Sequence, residues 1–343
     1  MAIAARTMKI AKMTLSPQSA LQDAATWEQD GFDAILSSET RHDPFVLSAL
    51  AAARTHEVEI ISNVVVAFAR TPMLTAYSAL DVQQLARGRF TLGLGSQIKP
   101  HIERRYGMTW SSPAARMKEY VQALHAIWDC WQHGGRLEFE GRFYRHSLMT
   151  PMFAPPAGEH GRPRIGIAAV GPEMTRVAAE VADILLCHSF TTPRYLREAT
   201  LPLVESTLAA QGRDRARFRI CGMALAAVGE TDEALEPQVG RLRESLAFYM
   251  STPAYRPVLE SEGLESLQPE LQALSREGRW QEMGRLVSDD VLHRFCVVGN
   301  ARQVARALHD RYAGIYDLIS CQTADGPGTT PLAVLRELRA LAS

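Results

Sequence analysis

The sequence predicts an α/β fold in which eight parallel strands and their helices close into a (β/α)8 TIM barrel, and three observations carry that prediction. Eight short apolar runs lack strict alternation, as strands buried on both faces do. Seven times a capping residue is followed directly by proline, which marks a helix start. The two signals alternate along the chain, and a βα order repeated throughout requires a parallel sheet with helices outside. An open doubly wound sheet has the same order, but eight strands favour closure.

In chain order the strand candidates are Met8 to Met13, Ala34 to Leu36, Val58 to Val66, Phe90 to Leu94, Arg164 to Ala168, Ile184 to Cys187, Phe218 to Val228 and Asp317 to Cys321. The helix starts are Ser16-Pro17, Asp43-Pro44, Thr71-Pro72, Ser112-Pro113, Gly171-Pro172, Thr192-Pro193 and Thr330-Pro331. In each pair the side-chain oxygen or bare glycine serves as N-cap. Proline at the next position loses no hydrogen bond, because an N–H there would have no intrahelical partner. Helical spacing follows, as in Leu74, Ala76, Ala79, Leu80 and Leu85, or Met117, Val121, Leu124, Ile127 and Trp128.

Residues 1–343 read as one domain with three segments beyond a minimal barrel. Residues 96–112 form a long irregular connection. Residues 134–163 hold a hairpin-like stretch from Leu137 to Phe143 and the run Pro155-Pro156-Ala157-Gly158. Residues 250–290 read as a polar helical insertion containing Trp280 and Met283. Such insertions serve as lids or binding loops; the third suits surface decoration or an oligomer contact equally well.

Composition excludes several classes. With 46% apolar and 22% charged residues the chain is neither disordered nor of low complexity. Lys plus Arg (37) and Asp plus Glu (38) leave a formal charge of −1, which argues against nucleic acid as the main partner. Five scattered cysteines form no disulfide framework and no C-x-x-C pair. Arg6, Lys9 and Lys12 lack the apolar stretch of a targeting segment, and no apolar run approaches the roughly 18 residues of a membrane span. A soluble cytoplasmic protein is the expectation.

Several motifs bear on chemistry. Phe90-Thr91-Leu92-Gly93-Leu94-Gly95-Ser96 leaves a strand with two glycines, but Ile98 occupies the third glycine position of a dinucleotide fingerprint, and no acidic residue ends a second strand about 20 positions on. What remains is a backbone that lets a flat ligand approach at a barrel's active face, or simply a tightly packed turn. Val170-Gly171-Pro172 joins a strand to a helix N-terminus, which attracts an anion unless Glu173 caps the helix itself. No metal-binding or serine-nucleophile motif occurs. His42, His101, His188 and Glu39 fall just after strand ends, where barrel catalysis sits; otherwise they are satisfied surface or ion-paired residues. Trp27, Trp128 and Trp131 lie in helices as core or interface residues.

The stretch from Ala69-Arg70-Thr71-Pro72 through Gly88-Arg89-Phe90 to Ser96, and then His101-Ile102-Glu103-Arg104-Arg105-Tyr106-Gly107, resembles the luciferase-like monooxygenase superfamily. The likeness continues through Arg116-Met117-Lys118-Glu119-Tyr120, Gly141-Arg142-Phe143-Tyr144, Ala168 to Pro172 and Val297-Val298-Gly299, and so covers essentially the whole chain. Ala67 to Pro72 and Gln97 to Arg105 are most similar to the branch of coenzyme F420-dependent oxidoreductases.

That resemblance implies an eight-fold barrel with a deazaflavin ring at its mouth, propped by a non-prolyl cis peptide at Ser62-Asn63 or Asn63-Val64. It implies cofactor contacts from Ser62, Asn63, Val64, Gly95, Ser96, Gln97 and His101, with Val170, Gly171 and Pro172 near the phosphate. The sugar-phosphate dehydrogenase branch carries an Asp-His pair where this chain has Glu39-Thr40, and a Glu where it has Ile98, so that substrate is not inherited. The expected function is hydride transfer between F420 and a small organic substrate, with Glu39, His42 and His188 as candidates for moving the proton. A flavin mononucleotide (FMN) monooxygenase and a non-catalytic flavin-binding protein are the alternatives. A homodimer is expected by analogy.

Overall fold

The structure, a computed structural model, describes residues 8–323, 326 and 328–342. Each of the eight apolar runs becomes a strand: Lys9–Thr14, Ala34–Ser37, Glu59–Ser62, Phe90–Gly95, Arg164–Ala169, Ile184–Cys187, Arg219–Val228 and Leu318–Gln322. Their hydrogen-bonded order follows the chain and returns on itself, which is the closed parallel sheet of a (β/α)8 barrel. No helix among the described residues is long and apolar enough to cross a membrane.

Six of the seven expected helices start at the proline, and the seventh starts one residue later, as Leu332–Ala342. Ser16, Asp43, Thr71 and Thr192 cap their helices through side-chain oxygens. Ser112 does not. Its backbone is left-handed, with φ 37°, and its side chain makes no capping bond, so Pro113 alone marks that start.

One compact unit comprises Thr14–Ala168 and Arg176–Leu186. Its ladders are parallel, with Ala34 opposite Glu59, Ile60 opposite Phe90 and Thr91 opposite Arg164. The third run, expected to be continuous from Val58 to Val66, is interrupted. It pairs as Glu59–Ser62, breaks at Asn63 and Val64, and resumes at Val65–Val66 beside Leu94 and Gly95. Ser62 closes the ladder below the break. Its hydroxyl donates to Gly93 O at 3.1 Å and accepts from Gly93 N–H at 2.8 Å. A Cβ added to Gly93 would lie 1.9 Å from Ser62 O, so no side chain fits there. Outside, helices Pro44–Arg54, Pro72–Leu85 and Pro113–His133 bury Leu47, Ala76, Ala79, Tyr120 and Ile127.

The other unit holds the chain up to Met13, Ala169–Thr175 and everything from Cys187. The ten-residue strand Arg219–Val228 pairs first with Leu318–Gln322 and, beyond Leu225, with Cys296–Gly299. This last strand lies outside the eight expected runs; it is only four residues long and borders a helix at each end. The 250–290 segment is helical as expected, but more than a polar decoration. Its Val258, Leu259, Leu271 and Met283 share a core with Phe190, Leu225 and Phe295. Phe190 stacks on Phe295 and Tyr255, with ring centroids 4.9 and 5.3 Å away. The hairpin of the 134–163 segment reduces to two-residue strands, Phe139–Glu140 and Arg145–His146.

Because backbone, not a pliable side chain, meets the added methyl, Gly93→Ala is expected to lower stability by about 1–3 kcal/mol or more. Nothing lies within 4 Å of a Cβ at Gly171, and Gly171→Ala should stay within about 0.5 kcal/mol of the parent. Paired denaturant midpoints measure the difference; equal midpoints would contradict this reading of the ladder.

Candidate active site

The break in the third strand is where the sequence placed ligand-facing backbone. The peptide between Asn63 and Val64 is cis, one of the two expected positions. Val64 then turns its side chain over Gly95: a Cβ on that glycine would lie 2.5 Å from Val64 Cγ2. The glycine that ends Phe90–Gly95 therefore makes room for Val64, which leaves a smooth apolar surface over two strand ends.

Glu39 organises this surface. Its backbone N–H donates to Val64 O at 3.3 Å, and its carboxylate accepts Val66 N–H at 2.8 Å. The same carboxylate accepts from Arg70 Nη1 at 2.6 and 2.7 Å and from the Tyr106 hydroxyl at 3.2 Å. Arg70 also reaches Asp43 at 2.7 Å. The Glu39 side chain is 8% exposed, so these donors replace nearly all its water. Burial opposes the charge on Arg70, yet the two carboxylates outweigh it and raise the guanidinium pKa. Burial and Glu39 together push the Tyr106 phenol up. With these donors around it, the carboxylate ties the interrupted strand to Arg70 and Tyr106.

Other expected residues of this unit fall into place differently. Ser62 is fully buried, with its hydroxyl committed to Gly93. Its side chain is part of the ladder. Ser96 and Gln97 follow Gly95 and are partly exposed. Gln97 adopts φ 61°, unusual for a residue with a side chain, and its Oε1 accepts Ile98 N–H at 3.0 Å. His101 opens the wide helical turn His101–Arg105 and is exposed, as is His42. Neither joins the Glu39 network, although Arg105 pins its own loop to Thr40 O at 2.7 Å. None of Arg70, Tyr106 and Asp43 was named as a site residue from the sequence: Arg70 and Tyr106 lay within the quoted Ala67 to Pro72 and His101 to Gly107 runs, and Asp43 was read as a helix cap.

In the other unit, His188 follows the strand Ile184–Cys187. Its Nδ1 accepts Phe190 N–H at 3.0 Å, so the neutral ring carries its proton on Nε2. Tyr249 and Tyr255 flank the imidazole, with centroids at 4.9 and 5.1 Å. Desolvation there pushes the His188 pKa down to about 4. Near neutral pH it is a hydrogen-bond donor. Tyr249 is itself held by Gln322 Nε2 at 3.1 Å, and Gln322 by the Ser189 hydroxyl at 2.7 Å. These three residues come from distant parts of the chain, which is why sequence reasoning missed them.

The turn Val170-Gly171-Pro172 opens helix Pro172–Val181. Its carbonyls are occupied: Val170 O accepts from the Tyr195 hydroxyl at 3.1 Å, and Gly171 O from Thr175 Oγ1 at 3.0 Å. A niche here is also lined by His188, and by Thr191, whose Oγ1 is buried with no hydrogen-bond partner among the described residues. The niche is about 10 Å³, room for one water beside that hydroxyl and no more.

Glu39→Gln is expected to cost about 2–3 kcal/mol, since it leaves Arg70 with only the half-exposed Asp43 as its counter-charge; a loss under 0.5 kcal/mol in chemical denaturation would refute the anchor role. For His188 the folded pKa lies below the ordinary 6.5, so its share of stability is intact above pH 6.5 and is lost as pH falls through about 4. Nitrogen-15 NMR should show a neutral Nε2–H imidazole down to about pH 5, and a titration midpoint near 6.5 would contradict the geometry.

A profile of the luciferase-like monooxygenase family matches residues 3–317. An uncharacterized protein of Mycobacterium tuberculosis (strain ATCC 25618 / H37Rv) is 46% identical over 296 residues, covering 86% of this chain and 87% of that one. Another from the same strain, provisionally named a coenzyme F420-dependent oxidoreductase, is 27% identical over 312 residues, 85% of this chain and 87% of its own. Among solved structures, the F420-dependent tetrahydromethanopterin reductase of Methanopyrus kandleri superposes with a TM-score of 0.77 at 17% identity, covering 97% of this chain and 98% of that one. A type II Baeyer-Villiger monooxygenase of Pseudomonas putida in complex with FMN gives 0.64 at 15% identity, with 96% of each chain covered. Barrel, interrupted third strand and matched profile together place the chain in the luciferase-like monooxygenase family, as an oxidoreductase.

Proposed function

We propose that the protein is an F420-dependent oxidoreductase that transfers a hydride between the deazaflavin and a small organic substrate. The observation that carries this reading is the Val64 surface over Gly95, an apolar, backbone-built cradle suited to one face of a planar ring. Two further features support it: the start of helix Pro172–Val181 at Gly171, whose first backbone N–H groups suit a phosphate, and the relatives named for F420. When bound, the deazaflavin supplies a two-electron hydride centre.

The chain's own residues have separate tasks in this proposal. Asn63, Val64 and Gly95 hold the ring face, Ser96 and Gln97 border it, and His101 lies toward the tail. Val170, Gly171 and Pro172 receive the phosphate. Glu39 fixes the backbone at Val64 and Val66 through its own N–H and its carboxylate. His188, neutral with Nε2–H outward from its Phe190 bond, donates a hydrogen bond to a substrate or cofactor oxygen. His42, exposed to solvent just after the second strand, is the candidate for exchanging the reaction's proton with water. The same reading retains a reducing cytoplasmic setting and a homodimer. Five free cysteines support the first; Leu148, Met152 and Phe153, all exposed on one insertion, support the second.

Reduced F420 mixed with the protein and a panel of ketones, imines and activated alkenes under anaerobic conditions tests the reaction. The proposal expects acceptor-dependent oxidation of F420 without oxygen, reduced about tenfold or more in His188→Ala. Turnover that requires FMN and oxygen would overturn it in favour of a monooxygenase. Saturable cofactor binding with no turnover of any acceptor would favour a flavin-binding protein without catalysis.

A further inference from the structure

A cleft of about 240 Å³ lies where helix Pro113–His133 ends and the chain approaches strand Arg164–Ala169. Arg162, on its wall, precedes the N-terminal end of that strand, whereas Gly95 ends the neighbouring one. The cleft and the Val64 cradle are therefore at opposite ends of one ladder. Leu80, Trp128 and Trp131 make the wall apolar. Trp128 is satisfied, since its Nε1–H donates to Ala76 O at 3.2 Å. Trp131 is not. Its residue is 6% exposed, its ring packs on Tyr77 at 4.6 Å, and its Nε1 is buried without an acceptor among the described residues.

A second donor shares that condition. Gln84 Nε2 is buried and unpartnered, and it stands against the cleft wall, 2.3 Å from where a Cβ on Gly158 would be. Arg162 adds a half-exposed guanidinium whose carboxylate, Asp129, is 3.5 Å away, a long contact. Buried donors are almost always paired, and two orphans beside a cation in one cleft call for an acceptor from outside the chain. The aromatic wall asks for a flat apolar body, and the volume suits one or two fused rings.

We propose that this cleft is a second small-molecule site, which takes an aromatic carboxylate with its ring against Trp128 and Trp131. The carboxylate accepts from Trp131 Nε1–H and Arg162. The site is distinct from the redox centre and does not depend on which cofactor the centre holds.

Calorimetric titration of the full chain with 2-naphthoate tests it. One saturable site is expected, weakened about tenfold or more in Trp131→Phe, which keeps a ring and deletes the N–H, and similarly in Arg162→Gln. The neutral 2-naphthamide should bind more weakly than the carboxylate. Absence of saturable heat would overturn the proposal, and so would binding that Arg162→Gln leaves within twofold. The second criterion holds even if Trp131→Phe fails to fold, because Arg162 is a half-exposed residue.

Discussion

A single buried carboxylate holds the working surface of one unit in shape. Glu39 bridges the interruption of the third strand from both sides, through its own N–H to Val64 and through its carboxylate to Val66 N–H. An ion this well covered is stable only with charge and hydrogen bonds around it, and Arg70 and Tyr106 supply them. The consequence reaches Gly95, because only with Val64 held in this position does its side chain occupy the space that a Cβ on that glycine would need. Packing and electrostatics thus both fix Val64.

The other unit solves a different problem, which is how to keep an imidazole neutral and directed. Two tyrosines remove water from His188, and a backbone N–H takes Nδ1, so tautomer and charge are both set by surroundings and not by an acid partner. Tyr249 and Tyr255 stand in that position because the 250–290 helices share the Phe190 core. An insertion that resembles decoration in sequence is therefore part of what tunes a candidate catalytic group.

The fold was legible because both of its signals are local. A strand buried on two faces needs a run of apolar residues, and a helix start needs a cap with proline beside it; neither requires knowledge of distant partners. Cys296–Gly299 escaped because its apolar run continues directly from helix Asp289–Phe295 with no turn residue between them, and Ser112 misled because its proline signals a start that its own side chain does not cap. The candidate site was half legible. Val64, Gly95, Gly171 and His188 are strand-end residues and could be named. Arg70, Tyr106 and Gln322 act through partners far along the chain, as Tyr106 does with Glu39 across 67 positions, and no spacing rule finds them. Glu39 could be named for its position at a strand end, while its donors Val66, Arg70 and Tyr106 are visible only in the fold.

The central claim is that a deazaflavin is the molecule this surface receives. Equilibrium titration of the protein with F420 and, separately, with FMN, followed by calorimetry, addresses it most directly. The account predicts one saturable F420 site, bound more tightly than FMN and abolished by Gly95→Val, whose added side chain must displace Val64. Saturable binding of FMN with none of F420, or F420 affinity unchanged in Gly95→Val, would contradict it.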